Sequence, residues 1–147
     1  MSKKAVSAAS VLKLMVPAGK ATPSPPVGPA LGQRGVKSMD FCKQFNDRTK
    51  DLILETPTPV AINIKADRTF TFSVKSPPTA WLLKRAAGVT KGAAQPGKET
   101  VGTLSLKHIY AIGQIKSKDP VMSHIELRSI CKSIIATAKS VGIKIVA

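Results

Sequence analysis

ATPSPPVGPALGQRG, residues 21–35, carries four prolines (Pro23, Pro25, Pro26, Pro29), three glycines and no acid. Proline fixes φ and lacks an N–H, which argues against a helix interior or a central strand here. The expected structure is an extended, partly polyproline-like arm with few backbone hydrogen bonds. Segments of this composition are often linkers or ligands for SH3-type grooves. Val27, Ala30 and Leu31, interleaved with the prolines, instead suit a segment docked on a surface. The reading is a rigid surface loop, built to be touched.

Regular elements flank the arm. Upstream, Val11–Val16 reads as a strand with Leu12, Leu14 and Val16 on one face. Met1 to Lys20 is basic and rich in Ala and Ser, a composition compatible with organelle targeting. A strand that enters the fold would not be removed, which weakens that signal. Downstream, Ser38 is expected to cap a helix reaching Thr49, with Phe41, Cys42, Phe45 and Thr49 on one face. Thr56-Pro57-Thr58-Pro59 is read as a break. Val60, Ile62 and Ile64 then alternate with polar or small residues, as do Phe70, Phe72 and Val74, and Ala66-Asp67-Arg68 turns between them. This is a hairpin. Residues 1–75 thus read as a small α/β domain: a three-stranded sheet, one covering helix and the proline-rich arm.

Lys75-Ser76-Pro77-Pro78-Thr79 reads as a semi-rigid joint that starts the next helix, Thr79 to Ala87. Residues 89–102 lack hydrophobic periodicity and read as a basic, glycine-rich loop able to order on a phosphate backbone. Ser105 is expected to cap a helix with Leu106, Ile109, Tyr110 and Gly113 on one face. Ser123-His124-Ile125-Glu126 reads as a capping box opening a last helix that ends at Gly142. His124 is placed on the surface, not in a catalytic role. Ile143–Val146 is expected to add a short strand, against Thr103-Leu104. The fold class is therefore α+β, with a C-terminal three-helix domain over residues 76–147.

Lys and Arg number 23 against 8 Asp and Glu, a net charge of +15. The excess is even, +7 in residues 1–75 and +8 in residues 76–147, so no single tail explains it. Such imbalance points to a polyanion partner through counterion release. No apolar run is long enough to span a membrane and no helix reads as a basic membrane-surface helix, so no membrane partner is expected. Cys42 and Cys131 fall far apart on apolar helix faces and are expected as free thiols, with a disulfide the less favoured alternative. The cysteines and histidines show no metal-ligand spacing, and no cofactor is expected. Neither a Walker-type loop nor a Ser-His-Asp set nor promisingly placed paired carboxylates occurs, which argues against an enzyme.

The last helix carries two stripes. Leu127, Ile130, Cys131, Ile134, Ala138 and Val141 form the expected core face. Ser129, Lys132, Ser133, Ala136, Thr137 and Ser140 form the other, flanked by Lys139. A merely solvated face would favour Glu and Lys in pairs. Small side chains instead let a helix approach closely, and hydroxyls bond ribose 2′-OH and phosphate oxygens. The shallow minor groove of folded RNA presents such a surface.

The run PSPPVGPALGQRGV (23–36), followed by Met39-Asp40-Phe41-Cys42-Lys43, resembles the large-subunit ribosomal protein L-eleven family. The likeness continues through Ala66–Phe72, Ser76-Pro77-Pro78 and Lys132-Ser133-Ile134 to Gly142, nearly the whole chain. It implies a C-terminal domain, homeodomain-like in arrangement, that binds large-subunit rRNA. It further implies a position at the base of the ribosomal stalk, beside stalk proteins and transiently docking translational GTPases. The RNA contacts it implies fall on Lys132, Thr137 and Ser140, and on Lys91 and Lys98 in the loop. Ser76, Thr79, Ser133, Ala136 and Lys139 complete the candidate RNA-binding set. Ala136 replaces a common glycine, and Ile135 a common acid. Pro23, Pro25, Pro26 and Pro29 resemble the arm that faces rRNA across a cleft targeted by thiopeptide antibiotics. Ser105–Tyr110 and Lys132–Ile135 look more like fungal mitochondrial members than bacterial ones, so the mitochondrial matrix is expected, with a bacterial cytoplasm as alternative. No homo-oligomer is expected. A homeodomain-like DNA-binding regulator is the alternative function. It leaves the arm unexplained and would want Arg, Asn or Gln for base edges.

Overall fold

The computed structural model describes residues 9–147. The first eight residues of the basic N-terminal stretch lie outside the described residues. The chain divides into two compact units, one ending at Lys75 and the other starting at Ser76.

In the first unit, β1 (Ser10–Pro17), β2 (Pro57–Ile64) and β3 (Phe70–Val74) form an antiparallel sheet in the order β1-β2-β3. Period-two alternation sets the register: Leu12 lies opposite Ile62, and Ile62 opposite Phe72. The helix α2 (Ser38–Arg48) lays Phe41, Cys42 and Phe45 on that face. The Phe41 ring meets Phe72 edge-on at 5.4 Å. Burial pushes the free Cys42 thiol above its ordinary pKa.

Three local expectations need correction here. Residues 56–59 are no break, because Pro57 and Pro59 belong to the central strand β2. The Pro59 carbonyl accepts from the Lys75 N–H at 3.0 Å, on the side where β3 has already ended. Pro57 and Pro59 thus turn their nitrogens to the β3 side, at and beyond the end of β3, and away from β1, whose ladder continues to Pro17. Second, Lys37 rather than Ser38 is the N-cap of α2, and it makes no side-chain cap bond. Third, the arm is not extended throughout: Val27–Gly32 forms a short helix, α1. Pro29 sits in its first turn, where a missing N–H costs nothing. Val27 and Leu31, four apart, are buried, while Pro23, Pro25, Pro26 and Pro29 are all exposed.

The arm is held by its own backbone. The Val27 and Gly28 N–H groups donate to the Ser24 carbonyl at 3.2 and 3.3 Å. At Gly28 a Cβ would lie 1.8 Å from the Pro23 carbonyl oxygen, so no other residue fits. Asn46 on α2 accepts from the Ala21 N–H at 2.9 Å and donates to the Ala21 carbonyl at 3.3 Å.

The second unit contains α3 (Thr79–Ala86), β4 (Gly102–Ser105), α4 (Leu106–Ser117), α5 (Leu127–Val141) and β5 (Ile143–Val146). Three helices are present, but they are joined by a two-stranded parallel sheet in which Thr103 lies opposite Lys144 and Leu104 opposite Ile145. The core unites Leu83, Leu104, Ile109, Ile112, Ile130, Ile134, Ala138 and Ile143.

The α4 stripe differs from the expected one. Leu106 and Tyr110 are about half exposed, at 50% and 52%, while Ile109, Ile112, Gly113 and Lys116 face inward. That set has the same three-and-four spacing, shifted by three positions, and it includes a lysine that an apolar pattern passes over. The capping box does not form either. Glu126 is the N-cap of α5, and the Ser123 hydroxyl donates to the Pro120 carbonyl at 3.0 Å. Tight turns through residues 119–125, closed by Met122 N–H to Asp119 and Ile125 N–H to Met122, delay the helix start.

Gly142 ends α5 in the left-handed region at φ 87°. A Cβ there would lie 2.4 Å from the Ala93 Cβ. Gly142→Ala is expected to lower stability by about 1–2 kcal/mol from backbone strain alone, and more from the overlap. Denaturant unfolding of the full chain checks this, and an unchanged midpoint would contradict it.

Candidate RNA interface

The α5 core stripe buries Ile130, Ile134 and Ala138, with Cys131, Ile135 and Val141 partly buried. Leu127 is half-buried. With that face committed, Lys132, Ser133, Ala136, Lys139 and Ser140 point to solvent, and Thr137 is half-exposed between them. The Thr137 hydroxyl donates to the Ser133 carbonyl at 3.0 Å and the Ser140 hydroxyl to Thr137 at 2.7 Å. Both side chains are thus held against the helix with oxygen lone pairs outward, presenting acceptors to a ribose hydroxyl. Either hydroxyl can turn and donate to a phosphate instead.

The loop carrying Lys91 and Lys98 is tied to the end of this helix. The Ala93 N–H donates to the Val141 carbonyl at 2.9 Å, and the Val101 N–H to Gly142 at 2.8 Å. At Gly92 a Cβ would stand 3.2 Å from the Val141 oxygen, so the loop backbone lies close against the helix end. Both lysines are exposed. The fold therefore brings the loop cations to the end of α5 that bears Lys139 and Ser140. Among the described residues none of these lysines has an ion-pair partner.

Ser76 and Thr79 are placed differently. Thr79 is the half-buried first residue of α3. The Ser76 N–H and hydroxyl both donate to the Asp119 carboxylate, at 3.0 and 2.5 Å. Next to it, the buried Lys116 ammonium donates to the Pro77 carbonyl at 2.6 Å. Desolvation lowers the Lys116 pKa, partly offset by the Asp119 charge. Asp119 and Lys116 thereby fix the entry of the chain into the second unit, and Ser76 is a positioning residue there. The apolar pattern of the sequence gives neither Lys116 nor Asp119 a place in this packing. The one available signal was the spacing of Lys116 from Ile109 and Ile112.

Among the described residues there is no group of three or more His, Cys, Asp or Glu able to hold a metal. Among the described residues no helix is long and apolar enough to cross a membrane.

The chain thus joins a small antiparallel-sheet unit bearing an exposed proline arm to a helical unit whose last helix carries hydroxyls and lysines on its outer face. Residues 12–70 match the family described as "Ribosomal protein L11, N-terminal domain", and residues 75–145 match "Ribosomal protein L11, RNA binding domain". Over 137 residues the chain is 54% identical to "Large ribosomal subunit protein uL11m" of Schizosaccharomyces pombe, covering 93% of this chain and 95% of that one. Over 145 residues it is 48% identical to "Large ribosomal subunit protein uL11" of Hydrogenobaculum sp., covering 99% and 97%. The chain belongs to the ribosomal protein L11 family of the large ribosomal subunit.

Proposed function

We propose that this chain is a non-enzymatic structural constituent of the large mitochondrial ribosomal subunit, holding rRNA on the outer face of α5. The observation that carries this is the exposed stripe of Lys132, Ser133, Ala136 and Ser140, with half-exposed Thr137 among them, within the segment matched to an RNA-binding domain. Lys91 and Lys98 add phosphate contacts from the loop docked at the helix end. The mitochondrial assignment draws on the S. pombe relative, whose name carries the suffix of mitochondrial ribosomal proteins. The second half of the proposal is a place at the GTPase-associated centre at the stalk base, where the exposed prolines of the arm meet rRNA, stalk proteins or translational GTPases. The pinning of the arm at Gly28, Ala21 and Asn46 supports a preformed docking surface, which lowers the ordering cost on binding.

Thr137→Glu and Ser140→Glu each place a carboxylate where phosphates approach. Each is expected to weaken binding to a folded large-subunit rRNA fragment at least tenfold, about 1.4 kcal/mol, with an unchanged circular dichroism spectrum. Unchanged affinity in a filter assay would reject the α5 face. Pro26→Ser, by contrast, is expected to leave naked-rRNA affinity within about twofold, since it only loosens the arm. On assembled ribosomes it is expected to alter thiopeptide sensitivity or factor-dependent GTP hydrolysis. Loss of rRNA affinity with unchanged drug and GTPase behaviour would mean the roles of the two units are reversed.

A further inference from the structure

The first unit carries a basic cleft that the α5 interface does not use. Gly32 at the end of α1, with Gln33, Arg34 and Gly35 after it, forms one wall, and Lys65, Ala66 and Arg68 of the β2–β3 turn form the other. Ser10 and the buried Ile64 complete its lining, and its volume is about 500 Å³. Arg34, Lys65 and Arg68 are all exposed, and among the described residues none is in an ion pair. The carbonyls at the end of α1 are already satisfied: Leu31 accepts from Arg34 and Val36, and Gly32 from Gly35. The cations are therefore the groups with unmet bonding capacity. Asp67 stands in the same turn, directly before Arg68, but does not line the cleft and is in no ion pair among the described residues, and Asp40 lines a neighbouring depression with Arg68 and Lys37.

The conformation of Arg68 is the second observation. The turn closes through Arg68 N–H to Lys65 at 3.0 Å and Lys65 N–H to Thr69 at 2.9 Å. It leaves Arg68 in the left-handed region at φ 62°. Hairpin turns of this kind favour glycine at that position, and a side chain there is strained. The strained residue sends its guanidinium stem across Gly35, whose own Cβ position lies 3.4 Å from Arg68 Cδ. A residue that disfavours its own turn yet lines a cleft of unpaired cations is a mark of function.

We propose that the Arg34–Lys65–Arg68 cleft binds a phosphate group, giving the first unit an anion site of its own. Two guanidinium forks on opposite walls, with an ammonium on the same wall as Arg68, can together meet the three acceptor oxygens of a phosphate. The phosphate is carried either by an RNA backbone or by a free nucleotide.

The test is a residue-resolved NMR titration of the ¹⁵N-labelled full-length protein with three probes: hexauridylate, ADP and hexaglutamate. Shifts confined to Gly32–Gly35 and Lys65–Thr69 with hexauridylate, beyond any at α5, support the site with RNA as the source. The same shifts with ADP at equal or lower concentration support it with a nucleotide as the source. Arg68→Gly relaxes the turn and removes one fork, so it is expected to keep or raise the unfolding midpoint while weakening probe binding at least tenfold. Arg34→Gln, which leaves the turn untouched, is expected to weaken it comparably. Equal shifts with hexaglutamate, no shifts with any probe, or parental titration by both variants would each overturn the proposal. Shifts at α5 with a folded rRNA fragment report separately on the main interface, so the two can fail independently.

Discussion

The close approach of α4 and α5 at Gly113 governs the second unit. A Cβ at that position would stand 2.8 Å from Cys131 Sγ and 3.4 Å from Leu127 Cδ1. Glycine in a helix interior costs about 1 kcal/mol relative to alanine, and here it lets the two backbones close. Closure fixes the rotation of α5, with Ile130, Ile134 and Ala138 against Ile109 and Ile112. Once those are inward, helical geometry leaves Lys132, Ser133, Ala136 and Ser140 outward. One turn beyond Gly113, Lys116 ties the entry of the unit through Pro77. The hydroxyl-and-lysine stripe is thus a consequence of packing on the opposite side of the same helix.

Electrostatics and packing are separated in this molecule. Only two ion pairs, Lys20–Glu55 and Lys50–Asp47, form among the described residues, against a net charge of +15 for the chain. Both are exposed and contribute little to stability. Stability resides in two cores, one per unit, the first aliphatic and aromatic and the second aliphatic, and the cations remain free for a polyanion. Surplus positive charge raises self-repulsion in the free protein and attraction to phosphates in the complex.

Much of this was legible in the residues. Period-two alternation in 11–16, 60–64 and 70–74 gave the sheet, since one buried face leaves a strand little freedom of register. The two stripes of α5 were readable because the helix is long and its apolar residues keep a three-four spacing. What escaped were features set by single atoms or by tertiary partners. The helix inside the proline arm depends on Gly28 passing within contact of the Pro23 carbonyl, which composition does not reveal. The α4 face was misassigned because Leu106 and Tyr110 are apolar yet exposed, whereas Lys116 is charged yet buried against a carbonyl. Ser76 was expected among the RNA contacts, and nothing local in the sequence marks Asp119, 43 residues on, as the acceptor of its hydroxyl. The basic cleft joins residues from two distant turns, and no local motif marks it.

The most direct test of the account is competition, at matched salt, between a folded large-subunit rRNA fragment and duplex DNA for the full-length protein. The α5 face carries no Asn or Gln, and its single Arg is Arg128 in the first turn. A surface of hydroxyls, small residues and flanking lysines fits a minor groove with ribose 2′-OH groups and has little with which to read base edges. The account predicts that the rRNA fragment binds at least a hundredfold more tightly than duplex DNA. Equal affinity for both, or preference for a particular DNA sequence, would contradict it and favour a homeodomain-like DNA-binding role.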